Sequence, residues 1–241
     1  MEIVREIRKH YPAIGIKAWT AVEIDWFAKL ERKPMSAILQ ILKDNGLDAL
    51  PGGGAEVFSE RVRQELFKTK IGWDKWSEAH REAHKLGIAS NATLLYGHME
   101  TYEERVDHIL KLRGLQDEAP GFMSFIPLAF QPGNTGIPVG KQGAIEDARL
   151  IAASRLLLDN FAHIKAYWVL MSPEMASISL SFGASDLDGT IGKEKIMHMA
   201  GNQSPEGLAI DSMRKLIREG GKEPQERDIV YNYIKEPAGV N

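Results

Sequence analysis

No cysteine occurs among the 241 residues, which excludes disulfides, thiolate metal sites, cysteine nucleophiles and any iron–sulfur cluster ligated by this chain alone. No uninterrupted apolar run approaches the roughly 20 residues needed to cross a bilayer. No charged-then-apolar leader opens the sequence, so a cytoplasmic location is expected. An excess of either charge is also missing: 30 basic residues face 33 acidic ones. No Lys/Arg block exceeds three residues, so neither nucleic acid nor an anionic membrane is an expected partner. What is present is ordinary globular material, 44% apolar and 26% charged, enough for one substantial core.

Short β-rich segments alternate with helical patterns. The strand candidates are Ile14 to Val22, Leu47 to Leu50, Ile88 to Tyr96, Phe122 to Phe130, Ile164 to Leu170 and Asp186 to Ile191. Helices are predicted from Pro34 to Asn45, Glu60 to Leu66, Trp73 to Leu86, Glu103 to Glu118, Ile145 to Asn160 and Pro173 to Phe182. Glycines follow several helices directly, at Gly46, Gly87 and Gly183, as αβ joints require. Thr101 and Glu104 form a capping-box pattern, and Ser172-Pro173 and Ser204-Pro205 read as helix starts. Such alternation implies βαβ units and a parallel sheet. The expected fold is α/β, an incomplete (β/α) TIM-type barrel of about six units, with the first one or two missing. Met1 to His10 is expected to be the helix of an earlier unit, residues 1–241 one domain, and about 192–241 a helical tail.

Polar and glycine-rich stretches follow the strands, where barrels carry their chemistry. Pro51-Gly52-Gly53-Gly54-Ala55-Glu56 combines a backbone able to approach a ligand with a carboxylate suited to hydroxyls such as those of a ribose; a tight βα turn is the alternative. It matches neither the P-loop nor the GxGxxG pattern. Asn91 to Thr101 gathers Asn91, Thr93, His98 and Glu100, with His98 able to transfer a proton near neutral pH. Phe125 to Thr135 carries Pro127 inside a strand, where a ladder donor is lost. His80 and His84, four apart, are expected on a solvated helix face, and no metal site is expected. Trp73, Trp76 and Trp168 are expected to pack in the core.

The runs IKAWTAVEI, LDALPGGGAEVF, SNATLLYGHMETYEERVDHILKLRGLQDE, FIPLAFQPGNT, ASRLLLDNFAHIKAYWVL and FGASDLDGTIGKEKI, in this order, resemble the aminofutalosine synthases, radical S-adenosylmethionine enzymes of the futalosine route to menaquinone. The related dehypoxanthine futalosine cyclase and the second subunit of deazaflavin FO synthase share the GGGAE and YGHxET elements; IKAYWVL and DLDGT are closer to the synthases. The resemblance implies a barrel that holds adenosylmethionine beside a four-iron four-sulfur cluster. It implies addition of the 5′-deoxyadenosyl radical to 3-[(1-carboxyvinyl)oxy]benzoate, giving aminofutalosine.

Carried onto this sequence, the resemblance places Gly52, Gly53, Gly54 and Glu56 at adenosylmethionine. Thr93, Tyr96, Gly97 and Glu100 fall on a GxIxGxxE adenine-side motif, with Thr93 replacing its first glycine, and Ile126 and Pro127 on the strand lining the adenine edge. Thr20, Glu23 and Gln131 are expected at the substrate, and His98 and Asn91 in substrate or proton management. The family's CxxxCxxC loop has no counterpart, so the chain is expected to be inactive alone. Two readings follow: a synthase fragment or subunit that needs a separate cluster-bearing N-terminal polypeptide, or a noncatalytic nucleoside-binding barrel fragment.

Overall fold

The computed structural model describes residues 2–191, 195, 199, 201 and 204–234. Four parallel strands form one sheet in chain order: β1 (Ala49–Leu50), β2 (Ala89–Tyr96), β3 (Phe122–Ala129) and β4 (His163–Ile164). A parallel bridge from Lys17 to Ala49 adds the first strand candidate at one edge, and a bridge from Lys165 to Asp186 adds the last at the other. All six expected strand positions therefore lie side by side, in the arrangement of a partial (β/α) barrel. Around them run α1 (Glu2–His10), α2 (Ala21–Glu31), α3 (Met35–Asp44), α4 (Glu60–Leu66), α5 (Trp73–Lys85), α6 (Tyr102–Glu118), α7 (Ala144–Leu157), α8 (Trp168–Met171), α9 (Pro173–Ser179) and α10 (Ile210–Glu219).

Alternation along each strand divides the sheet into two faces. Leu50, Ala92, Leu94, Phe125 and Ile164 are fully buried beneath the helices. Asn91, Thr93, Ser124, Ile126 and His163 point the other way, into the barrel interior, as their register requires. A shift between Ser90 and Asn91 inserts Met123 as an extra residue in β3. Phe122 and Ser124, which simple alternation would put on one face, are thereby separated. Phe122 joins an outer aromatic seam with Trp76, 5.9 Å away, and Phe161, 5.4 Å away, while Ser124 faces Asn91 inside.

Three strand and helix expectations change. The strand expected to reach Val22 stops early: Trp19 turns at φ +59° and α2 begins at Ala21. The strand expected from Ile164 to Leu170 is two residues long, and Trp168 to Met171 is helical and buried. A short apolar run has the same composition in a buried helix as in a strand. In the expected helical tail, Ser204-Pro205 starts no helix; α10 begins at Ile210, and Arg227 pairs antiparallel with Tyr233 beyond it. Positions 192–194, 196–198, 200, 202–203 and 235–241 of that tail lie outside the described residues.

His80 and His84 are buried rather than solvated. His84 Nδ1 donates to the Ala119 carbonyl (2.7 Å), so its Nε2 accepts from the Ser90 hydroxyl (2.7 Å), and Ser90 Oγ in turn accepts from His80 Nδ1 (2.9 Å). His108 is equally enclosed: Nε2 donates to the Thr93 carbonyl (2.9 Å), Nδ1 accepts from the Phe58 amide (3.1 Å), and the ring stacks on Phe58 at 4.1 Å. These bonds use the neutral imidazole.

Burial lowers all three histidine pKa values, His108 to about 3. The unfolded chain, with ordinary histidines, therefore takes up protons below about pH 6.5 that the folded chain refuses. Stability from these groups is complete above pH 6.5 and declines as pH falls toward the folded values. Urea unfolding of His108→Gln between pH 6.5 and 5 is expected to show a slope shallower than the parent's, by a difference that grows to about 1.4 kcal/mol per pH unit near pH 5. Parallel slopes for the two proteins would contradict this assignment.

Candidate functional site

The interior face and the loops after the strands form the candidate site. After β1 the chain runs through the three glycines. A Cβ on Gly52 would lie 2.6 Å from the Asn91 carbonyl oxygen, so the loop can cross β2 this closely only with glycine. Gly53 abuts Thr20 and Gly54 abuts Val22, giving the triple glycine a packing reason in addition to any ligand. Glu56 follows in the left-handed region (φ +47°), its carbonyl accepting from the Leu95 amide (2.8 Å) and its carboxylate 3.2 Å from Lys70 Nζ. The Glu56 side chain stays partly open at the rim.

The next loop is held from within. Glu100, whose side chain is fully enclosed, accepts from the Gly97 amide (2.6 Å), the His98 amide (2.9 Å) and Arg105 (2.7 Å). Gly97 takes φ +91° and packs on Gln142, leaving no room for a side chain. His98 accepts from the Met99 amide at Nδ1 (2.8 Å) and donates from Nε2 to the Leu95 carbonyl (3.1 Å). Burial lowers its pKa against the opposing pull of Glu100. With both nitrogens committed and the side chain enclosed, His98 keeps the loop's shape; the geometry does not favour the proton-transfer role expected of it.

Alternation sorts the remaining residues. Asn91, buried on the interior face, accepts from Ser124 Oγ (3.1 Å); Thr93 Oγ1 donates to the Gly52 carbonyl (2.8 Å); Ile126 is half-buried beside them. Tyr96 points outward instead, its hydroxyl donating to Asp147 of α7 at 2.5 Å. Burial and that carboxylate hold the Tyr96 proton on, and burial raises the pKa of Asp147. Pro127 also faces outward. Phe125 accepts from Lys165 N (2.9 Å), so Pro127, two residues on, turns its missing donor to the same side, beyond the end of β4. Thr20 and Glu23, expected at the substrate, close the start of α2: Glu23 accepts from the Thr20 amide at 2.7 Å. Gln131 is buried and donates to the Ala129 carbonyl (3.1 Å). The site is thus drawn toward Glu56, Asn91, Thr93 and Ile126. Tyr96 and Pro127 point away from it, and Glu23, Glu100 and His98 are used in building its frame.

A charged group inside the barrel was not among the expected site residues. Lys165, with its side chain 2% exposed, lies 2.7 Å from Asp188 and 3.5 Å from Asp186. Asp186 also accepts from Arg227 (2.6 Å) and from the Tyr231 hydroxyl (2.5 Å), and Tyr231 stacks on His163 at 4.4 Å. The positive neighbours lower the Asp186 pKa although burial opposes them. Lysines within apolar strands, at IGIKAW and HIKAYW, were the available signal.

Tyr96→Phe is expected to leave the Asp147 carboxyl buried without its donor and to cost about 1–3 kcal/mol in urea unfolding. Because Tyr96 faces the helices, the substitution should leave ligand affinity unchanged. A Tyr96→Phe chain of parental stability that bound adenosylmethionine more weakly would return Tyr96 to the site.

Comparison with known proteins shows the family. The chain is 48% identical over 240 residues to aminodeoxyfutalosine synthase of Thermus thermophilus, an alignment that takes in 98% of this chain and 64% of that protein. It is 39% identical over 249 residues to aminodeoxyfutalosine synthase of Streptomyces coelicolor, with 98% and 64% covered. Identity to the 5-amino-6-(D-ribitylamino)uracil–L-tyrosine 4-hydroxyphenyl transferase 2 of Methanosarcina barkeri is 35% over 251 residues, with 100% and 65% covered. The chain therefore spans a little under two thirds of the length of these relatives. The crystal structure of a methylornithine synthase shares the fold, at a TM-score of 0.58 and 15% identity, covering 93% of this chain and 63% of that one. The family model for the CofH/MqnC C-terminal region matches residues 119–240, half of the sequence: the chain belongs to the CofH/MqnC family.

Proposed function

We propose that this chain supplies six βα units of an aminodeoxyfutalosine synthase barrel, and that it makes aminofutalosine when a cluster-bearing segment completes the barrel. The observation that carries the reading is the 48% identity to a protein of that name, over an alignment that takes in 98% of this chain. Identity to the tyrosine 4-hydroxyphenyl transferases is lower, at 35%.

The residues present fit adenosylmethionine and do not fit a cluster. The rim after β1 offers a partly open carboxylate, Glu56, on a backbone already turned to positive φ, next to an interior wall of Asn91, Thr93 and Ile126. A carboxylate so placed suits ribose hydroxyls or an ammonium group. Without cysteine no thiolate set exists in this chain, and among the described residues no group of His, Asp and Glu is arranged to hold a metal ion. Adenosylmethionine, when bound and reductively cleaved, supplies the radical that does the difficult chemistry. The chain's own work is to hold Glu56 at the rim, to keep the 97–100 loop rigid through Glu100 and Arg105, and to line the interior so that water is kept from the reacting atoms. Among the described residues no helix is long and apolar enough to cross a membrane.

Mixing the chain with a CxxxCxxC-bearing segment, iron, sulfide, reductant, adenosylmethionine and 3-[(1-carboxyvinyl)oxy]benzoate is expected to yield aminofutalosine. No product despite a formed cluster would overturn the reading. Glu56→Gln is expected to weaken adenosylmethionine binding by about tenfold or more, since a hydrogen bond to a charged group contributes about 1.5–3 kcal/mol. Its folding stability should change by less than about 1 kcal/mol, because Lys70 is an exposed partner. Unchanged affinity in isothermal titration would remove Glu56 from the site.

A further inference from the structure

Lys17 sits on the first strand, opposite Ala49, which in turn pairs with Ala89. Side chains at one level of a parallel sheet share a face, and Ser90, one residue after Ala89, points outward to His80 and His84. Lys17 therefore projects into the barrel interior. The charges that act on it agree with that direction: they are Lys165, Asp188, Arg227 and Asp186, from the far side of the sheet and the segment beyond α10.

Those neighbours are already matched to one another. Lys165 is held by Asp188 and Asp186, and Arg227 by Asp186. Three cations, Lys17, Lys165 and Arg227, thus share two carboxylates, which leaves one positive charge in excess. Among the described residues the Lys17 ammonium has no hydrogen bond or ion pair of its own. Burial, followed by repulsion from Lys165, lowers its pKa to about 8. A partly buried ammonium with two other cations nearby is stabilised by an incoming anion.

The surroundings indicate the rest of that anion. Asn91, Ser124 and the half-buried Ile126 and Leu128 line the same face, which thus offers both polar and apolar partners to the body of such an anion. A cleft of about 1130 Å³ is lined by His163, Asp186, Asp188, Arg227 and Tyr231, so three of the charged neighbours of Lys17 face open space.

We propose that Lys17 is the anchor for a carboxylate of an aromatic acid bound in the barrel interior, with the Lys165–Asp188 and Arg227–Asp186 pairs fixing the positive surroundings in place. This inference rests on the proposed function, whose substrate carries two carboxylates, and it selects the residue that holds one of them. Lys17 is a binding residue and takes no part in bond making.

Isothermal titration of the full chain tests it with 3-[(1-carboxyvinyl)oxy]benzoate and the two analogues in which one carboxylate is replaced by a neutral carboxamide. In the parent protein, one of the amides is expected to bind at least tenfold more weakly than the diacid. In Lys17→Gln the diacid should weaken by at least tenfold and that difference should vanish, whereas Lys17→Arg should stay within a few-fold of the parent. Equal binding of diacid and both amides by the parent overturns the proposal without recourse to any variant. A preference for the diacid that persists unchanged in Lys17→Gln overturns it as well. Failure of the parent chain to bind the diacid also overturns it, because the anchor lies wholly within this chain. The synthase reading is judged separately, by product formation in the reconstituted enzyme.

Discussion

The parallel pairing of β2 with β3 determines which side chains meet the helices and which line the barrel. Seven paired positions, from Ser90 with Phe122 to Tyr96 with Ala129, fix the register, and one inserted residue, Met123, resets the alternation near its start. Without that insertion Phe122 and Ser124 would share a face. The aromatic seam would then lose Phe122, or the interior would lose the hydroxyl that bonds Asn91. The outer packing and the inner chemistry are thus two consequences of a single register.

Polar groups are spent in two ways on this frame. On the outer side, Ser90, His80, His84, His108, Tyr96 and Asp147 satisfy one another or the backbone, so that helices can lie against the sheet with few unpaired donors. On the inner side, pairing is incomplete: Lys165 and Arg227 have carboxylates, while Lys17 shares in them only at a distance. The outer layer thus closes on itself, while the inner one keeps a cationic excess. The rim between them combines one partly open carboxylate, Glu56, with one enclosed carboxylate, Glu100.

Much of the architecture was legible because its signals are local. Helix caps, glycines after helices and runs of β-branched residues located six strands and most helices, and the same composition located the rim loops. Thr20 and Glu23 show where local reading was incomplete. Thr-Ala-Val-Glu is itself a capping pattern, yet its place after an apolar run led to a binding role when α2 needed its start closed. His98 and Tyr96 show a different gap. Each has the chemistry expected of a site residue, but a carbonyl, an amide or a carboxylate contributed by the fold takes up that capacity first.

By itself the sequence determined the fold class, the six-unit order, the family and the absence of any thiolate ligand, since these depend on residue identity and spacing along the chain. Only the tertiary structure decided which way Tyr96, Pro127 and Asn91 face, that His80 and His84 are buried, and that Lys17 feels the charges of Lys165 and Arg227 across the interior. Those facts depend on strand register and on separate elements packing together, in the case of Lys17 across more than a hundred residues of chain, and the residue types alone do not encode them.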